Sequence, residues 1–213
     1  MKTNELIDML ASGAQPVDGG ALDWRYIAAL GWGMLGTVLL MMFLLGVRKD
    51  IAAAALLPMF WAKLTFAGLM LAGAWLALLR LSRPGFGLGR SWYWPAAAVA
   101  GMGLLAALSL WDAAPAARER LIYGVSWSVC PLYIAGLSLP AFIAVWWALR
   151  DSAPTRPALA GAAAGLTAGG IGAAAYALYC PEMAAPFVGI WYLLGMLIPA
   201  TLGALLGPLL LKW

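Results

Sequence analysis

Cys130 and Cys180 are the residues of this sequence with the most distinctive chemistry. They stand fifty residues apart and in no Cys-x-x-Cys. Three kinds of chemistry fit them. They can close a structural disulfide in an oxidising compartment. They can pack as two unrelated apolar thiols. They can also form a redox or soft-metal sensor, because thiolates bind soft ions such as Cu(I) or Cd(II). Glu182, two residues past Cys180, offers a charge or an oxygen ligand to such a site, or is simply a solvated loop residue. The chain has no histidine, which removes the commonest metal ligand and the commonest proton shuttle near neutral pH. No nucleophile triad, carboxylate pair or phosphate loop is present, so neither an enzyme nor a bound cofactor is expected, apart from a soft metal ion such as copper or cadmium acting as a signal.

The elements that must position these sulfurs are written in the composition. Of 213 residues, 64% are hydrophobic and 10% are charged. A soluble domain carries about a quarter charged residues, so this chain cannot cover a water-facing surface. The net charge of +4 sits in small groups between apolar runs rather than in one patch, which argues against direct nucleic-acid binding. Residues Met1 to Asp23 include Glu5, Asp8, Asp18 and Asp23 and lack the apolar core of a signal peptide.

Six apolar runs follow: Tyr26 to Val47, Pro58 to Leu79, Tyr93 to Trp111, Trp127 to Leu149, Pro157 to Tyr179 and Pro186 to Leu211. Each is long enough to cross a hydrocarbon core about 30 Å thick as a helix. In lipid the backbone must satisfy its own hydrogen bonds, so helices are the expected form. The reading is an all-α, multi-pass membrane protein, with a bundle of six transmembrane helices over 25–213 behind an N-terminal segment, 1–24. With the N-terminus inside, Lys2, Arg25, Arg80, Arg83, Arg90, Arg150, Arg156 and Lys212 lie on the cytoplasmic side and Arg48, Lys49, Arg118 and Arg120 outside. That bias of eight against four predicts N-in, C-in. Lys63 is the clear charge inside a span. Its place near the outer end of the second run predicts snorkelling to the interface, with a pairing to Glu182 as the alternative.

Gly161, Gly165 and Gly169 share one face of the fifth run, and Gly203 and Gly207 repeat the spacing in the sixth. Close backbone packing is the expected use. Pro140 is expected to kink the fourth run. Cys130 and Cys180 fall in the same outer layer, on runs joined by the short connection Asp151 to Arg156, so their helices are expected to be antiparallel neighbours. In the polar N-terminal stretch, Thr3 can cap a short helix whose Leu6, Ile7 and Leu10 share a face. Such a helix suits docking in a groove of another protein, or else lies on the membrane surface.

Several short motifs resemble those of the NrsF-type proteins, membrane-bound negative regulators of sigma factors. These are Met1-Lys2-Thr3 with Leu6-Ile7 and Leu10-Ala11, then Ser126-Trp127-Ser128-Val129-Cys130, then Cys180-Pro181-Glu182 followed by Phe187 and Trp191. The resemblance implies an anti-sigma factor. Its cytoplasmic N-terminal segment, through Lys2, Thr3, Leu6, Ile7 and Leu10, would hold an extracytoplasmic-function sigma factor at the membrane. Cys130 and Cys180 would sense heavy-metal or oxidative stress in the periplasm and loosen that grip. Many relatives carry a histidine before the second cysteine and another near the last tryptophan. Tyr179 and Tyr192 stand there here, which leaves thiol chemistry as the simpler trigger. The competing class, a membrane thiol oxidoreductase or small transporter, would be expected to show a Cys-x-x-Cys or more polar residues within the spans.

Overall fold

The computed structural model describes residues 19–211 other than 153, with side chains from Trp24 onward. Lys2, Thr3, Leu6, Ile7, Leu10 and Lys212 lie outside the described residues. Regular structure is entirely helical among the described residues: α1 (Gly19–Leu44), α2 (Ile51–Ala54), α3 (Pro58–Leu81), α4 (Tyr93–Asp112), α5 (Pro115–Tyr123), α6 (Cys130–Leu137), α7 (Leu139–Leu149), α8 (Pro157–Ala177), α9 (Ala185–Phe187), a π-helical turn (Val188–Tyr192) and α10 (Leu193–Leu210). Proline occupies the first turn of α3 and of α5 to α9, where its missing N–H costs nothing and its fixed φ suits a helix start.

Five helical stretches are long and apolar enough to cross a membrane: Trp24–Leu44 of α1, α3, α4, α8, and Ala185–Leu210 running through α9, the π-helical turn and α10. The α6–α7 pair makes a sixth if it is one span, bent by 43°. The bend sits beside Pro140, which supplies no N–H to the helical ladder. Thr37 of α1 donates to the carbonyl of Leu137 at this bend, over 3.0 Å. The connections hold what periodicity did not predict. The short α2 and α5 lie between the membrane-length helices, and the last of these stretches contains the π-helical turn.

The bundle is built around α8, which packs on α1, α3, α6, α7 and α10. Its small residues permit this. Gly161 and Gly165 lie directly on the backbone of α10 at Gly203 and Pro199, so a Cβ at either would meet a carbonyl. Gly207 meets Pro157 in the same way. On another face Gly172 abuts the Ile134 carbonyl of α6, 2.6 Å from where a Cβ would stand. The glycine stripe is therefore a packing surface, as its spacing predicts.

Two polar clasps close the ends. At one end an ion pair joins Arg25 to Asp151, and Tyr26 Oη shares a 2.6 Å hydrogen bond with Ser152 Oγ. The Arg25 guanidinium also lies 4.4 Å from the Trp147 ring centre. The start of α1 is thereby tied to the α7–α8 connection. The opposite end holds the cysteines.

Candidate functional site: a buried cysteine pair

Cys130 opens α6, and its N–H donates to the Ser126 carbonyl over 2.9 Å. Cys180 follows the last turn of α8, with its N–H on the Tyr176 carbonyl at 2.9 Å. Both side chains are fully buried and both are free thiols. They share one core cluster with Ile134, Tyr176, Phe187, Tyr192 and Met196, and they are electrostatic neighbours. The two cysteines, fifty residues apart in sequence, thus come together in one cluster.

Two tyrosines enclose them. The Tyr176 hydroxyl has both sulfurs as polar neighbours, and Tyr192 has Cys180. The rings of Tyr176 and Tyr192 are 5.7 Å apart. The Tyr192 hydroxyl and the Ser126 hydroxyl are buried without a hydrogen-bond partner among the described residues. Such atoms are uncommon in a folded interior, and here they border the sulfurs.

Lys63 departs from the snorkelling expectation. It is 0% exposed and donates to two backbone carbonyls, Cys180 at 2.9 Å and Glu182 at 3.1 Å. The loop turns these carbonyls inward, and an ammonium satisfies both at once. Glu182 is thus a partner of Lys63, through its main chain. Its carboxylate accepts instead from the Val125 N–H at 2.8 Å, beside Gly124, whose φ of 54° suits glycine. Arg48 also reaches the Cys180 carbonyl, at 3.5 Å, while gripping Asp50 with bonds of 2.7 and 2.6 Å. That guanidinium holds the Asp50 carboxyl below the usual carboxylate range. The Cys180–Glu182 loop is therefore pinned by Lys63 of α3, by Arg48 just after α1 and by the 124–125 turn. Sequence reasoning placed Glu182 near the cysteines and gave Lys63 only an alternative pairing with it, which the structure realises through the main chain. It missed Tyr176, whose only signal was one helical turn of separation from Cys180.

An aromatic group closes the same end. Trp191 donates to the Ile122 carbonyl over 2.8 Å, and its ring is 5.3 Å from Trp127 and 6.2 Å from Tyr123. The Ser126–Cys130 stretch, the Cys180–Glu182 loop and Trp191 thus meet in space, although they are scattered in sequence. No group of three His, Cys, Asp or Glu side chains suited to a metal ion occurs among the described residues. A soft ion here would rest on two sulfurs, with the tyrosine hydroxyls nearby.

The whole-chain match decides what kind of protein carries this arrangement. The family described as "Negative regulator of sigma F" matches residues 10–213. The chain belongs to the NrsF family. It is 52% identical to the probable anti-sigma-F factor NrsF of Azospira oryzae, over 100% of both chains. It is 40% identical to the anti-sigma-F factor NrsF of Caulobacter vibrioides, again over 100% of both. No solved structure matches. NrsF proteins are regulators rather than enzymes, so the reading as a thiol oxidoreductase falls away. The NrsF match also embraces the cysteine end and the clasp between α1 and the α7–α8 connection.

Proposed function

We propose that this chain is a multi-pass anti-sigma factor of the bacterial inner membrane, oriented N-in, C-in. Its partner is a sigma factor of the extracytoplasmic-function class, held by the cytoplasmic segment 1–24 through Lys2, Thr3, Leu6, Ile7 and Leu10. Cys130 and Cys180, on the periplasmic side, sense a two-electron oxidant or a soft metal ion such as copper or cadmium. One observation carries the reading: α1 begins at the end of the bundle opposite the sulfurs. A signal at the cysteines and a grip at the tail are then separated by one bilayer and linked by α1, which is followed by Arg48 on the cysteine loop.

The chemistry is balanced simply. An oxidant takes two electrons as the two S–H bonds give up their protons and one S–S bond forms. A soft ion instead displaces the protons and bridges both sulfurs. Either event draws the start of α6 and the loop after α8 together, and the spare Tyr192 hydroxyl is available to the altered sulfur. A new cross-link is worth about 2–4 kcal/mol, enough to move a two-state balance by more than tenfold.

Co-purification tests it. The sigma factor should accompany the full chain from membranes and be lost when residues 2–10 are deleted. Cells carrying Cys130→Ser with Cys180→Ser should keep the sigma factor bound through a cadmium or peroxide challenge. A tail-deleted chain that still retains the sigma factor, or normal release in the double variant at normal membrane levels, refutes the corresponding half.

A further inference from the structure

From Ile51 to Trp111 the sequence contains Lys63, Arg80, Arg83 and Arg90 and no aspartate or glutamate. Lys63 is consumed at the cysteine loop. The three arginines gather at the other end of the α3–α4 hairpin, around an open cavity of about 400 Å³. Its remaining wall is apolar and aromatic, with Leu76, Phe86 and Trp94, all exposed. The connecting loop turns at Gly85 and Gly89, with φ of 82° and 57°. A side chain at Gly89 would strike the Arg80 guanidinium, 2.5 Å from the Cβ position, so the glycine gives that group its seat. Arg80 Nε then donates to the Gly87 carbonyl at 3.1 Å, which fixes the guanidinium in place. The Nη groups of Arg80 have no partner among the described residues, and Arg90 is exposed.

We infer that this cavity binds the phosphate headgroup of an anionic phospholipid, with Arg80 and Arg90 on the phosphate and Leu76, Phe86 and Trp94 along the first carbons of the acyl chains. A guanidinium presents paired N–H donors to a phosphate. The cavity lies at the boundary between an apolar helix pair and a polar loop, which is the depth of a headgroup. A soluble phosphate would use the arginines and leave the exposed apolar wall unexplained. An acidic protein surface would not need an open cavity flanked by lipid-length helices. The inference rests on α3 and α4 crossing a bilayer, and not on which side faces the cytoplasm or on the sensing role of the cysteines.

The test uses the full chain in mild detergent, mixed with phosphatidylglycerol or phosphatidylcholine, with bound lipid read by native mass spectrometry. Phosphatidylglycerol should be retained in preference to phosphatidylcholine. Arg80→Gln with Arg90→Gln should weaken that retention about 25-fold, taking roughly one fivefold step per arginine. Arg118→Gln with Arg120→Gln removes the same charge at the other end and should leave it unchanged. Arg90→Gln alone, at an exposed side chain, keeps the test open if the double variant folds poorly. Equal retention in the double and wild-type chains, or an equal loss in the remote control, overturns the site. Displacement of the lipid by millimolar inorganic phosphate overturns the lipid assignment in favour of free phosphate. Normal lipid retention with loss of the sigma factor overturns it in favour of a partner contact.

Discussion

At the scale of single residues, the cysteine end is organised by cations on carbonyls. Lys63 is buried, and the acceptors of its hydrogen bonds are two main-chain carbonyls of the loop that carries Cys180. A hydrogen bond to a charged donor is worth about 1.5–3 kcal/mol. Lys63→Met keeps the volume and removes both bonds, so the loop should open more often. Labelling of Cys180 by a membrane-permeant maleimide should then accelerate about tenfold, and an unchanged rate would show that Arg48 and Glu182 hold the loop without it. Asp151 gives a pH prediction at the other end. Arg25, and then Arg150, hold its carboxyl below the ordinary range. The folded pKa lies under the unfolded one, so the pair stabilises above the unfolded value near 4 and is lost as pH falls through the folded value. The melting temperature in detergent should drop on acidification below about pH 4. Asp151→Asn should lower it at pH 7 and flatten that acid limb.

At the scale of elements, α8 is the strict one. Its contacts with α10 are backbone on backbone, and a carbonyl cannot rotate away as a side chain does. Gly165→Ala should therefore cost about 1–3 kcal/mol or more, seen as a lower unfolding midpoint in detergent. Gly101→Ala in α4 is the contrast, because nothing stands within 4 Å of its Cβ position. It should leave the midpoint unchanged or raise it slightly, by stiffening the helix. The pair of substitutions separates helix propensity from packing. A tolerated alanine at Gly165 would mean that α8 and α10 are not in contact in the membrane.

At the scale of the whole molecule, the two clasps define two ends, and the proposed function needs those ends in different compartments. In a chain with both native cysteines replaced by serine, a single cysteine at Lys49 should react with an impermeant maleimide applied to intact spheroplasts. One at Asn4 should react only after the membrane is opened. The reverse pattern would put the tail outside and end the sigma-factor reading. The same comparison bears on charge. In the proposed orientation Arg48 and Lys49 sit against the inside-positive trend, yet Arg48 is engaged at the cysteine loop and with Asp50. Its structural use accounts for a cation at that end.

The spans were legible in the sequence because a bilayer imposes one requirement on composition over about 20 residues at a time. Five of the six apolar runs reappear as helical stretches of membrane-crossing length and the fourth as the bent α6–α7 pair, the glycine face is a packing face, and Pro140 stands beside the bend. That Cys130 and Cys180 lie at one end of the bundle was also legible, since counting apolar runs places both at the same end of neighbouring helices. Depth is not contact, however. Which residues surround the sulfurs depends on how α3, α6, α8 and α10 rotate about their own axes, and an almost uniformly apolar helix carries little signal for that rotation. Lys63 shows the limit most clearly. Its sequence position allowed both an escape to water and a buried role, and only the inward turn of two carbonyls at Cys180 and Glu182 decided between them.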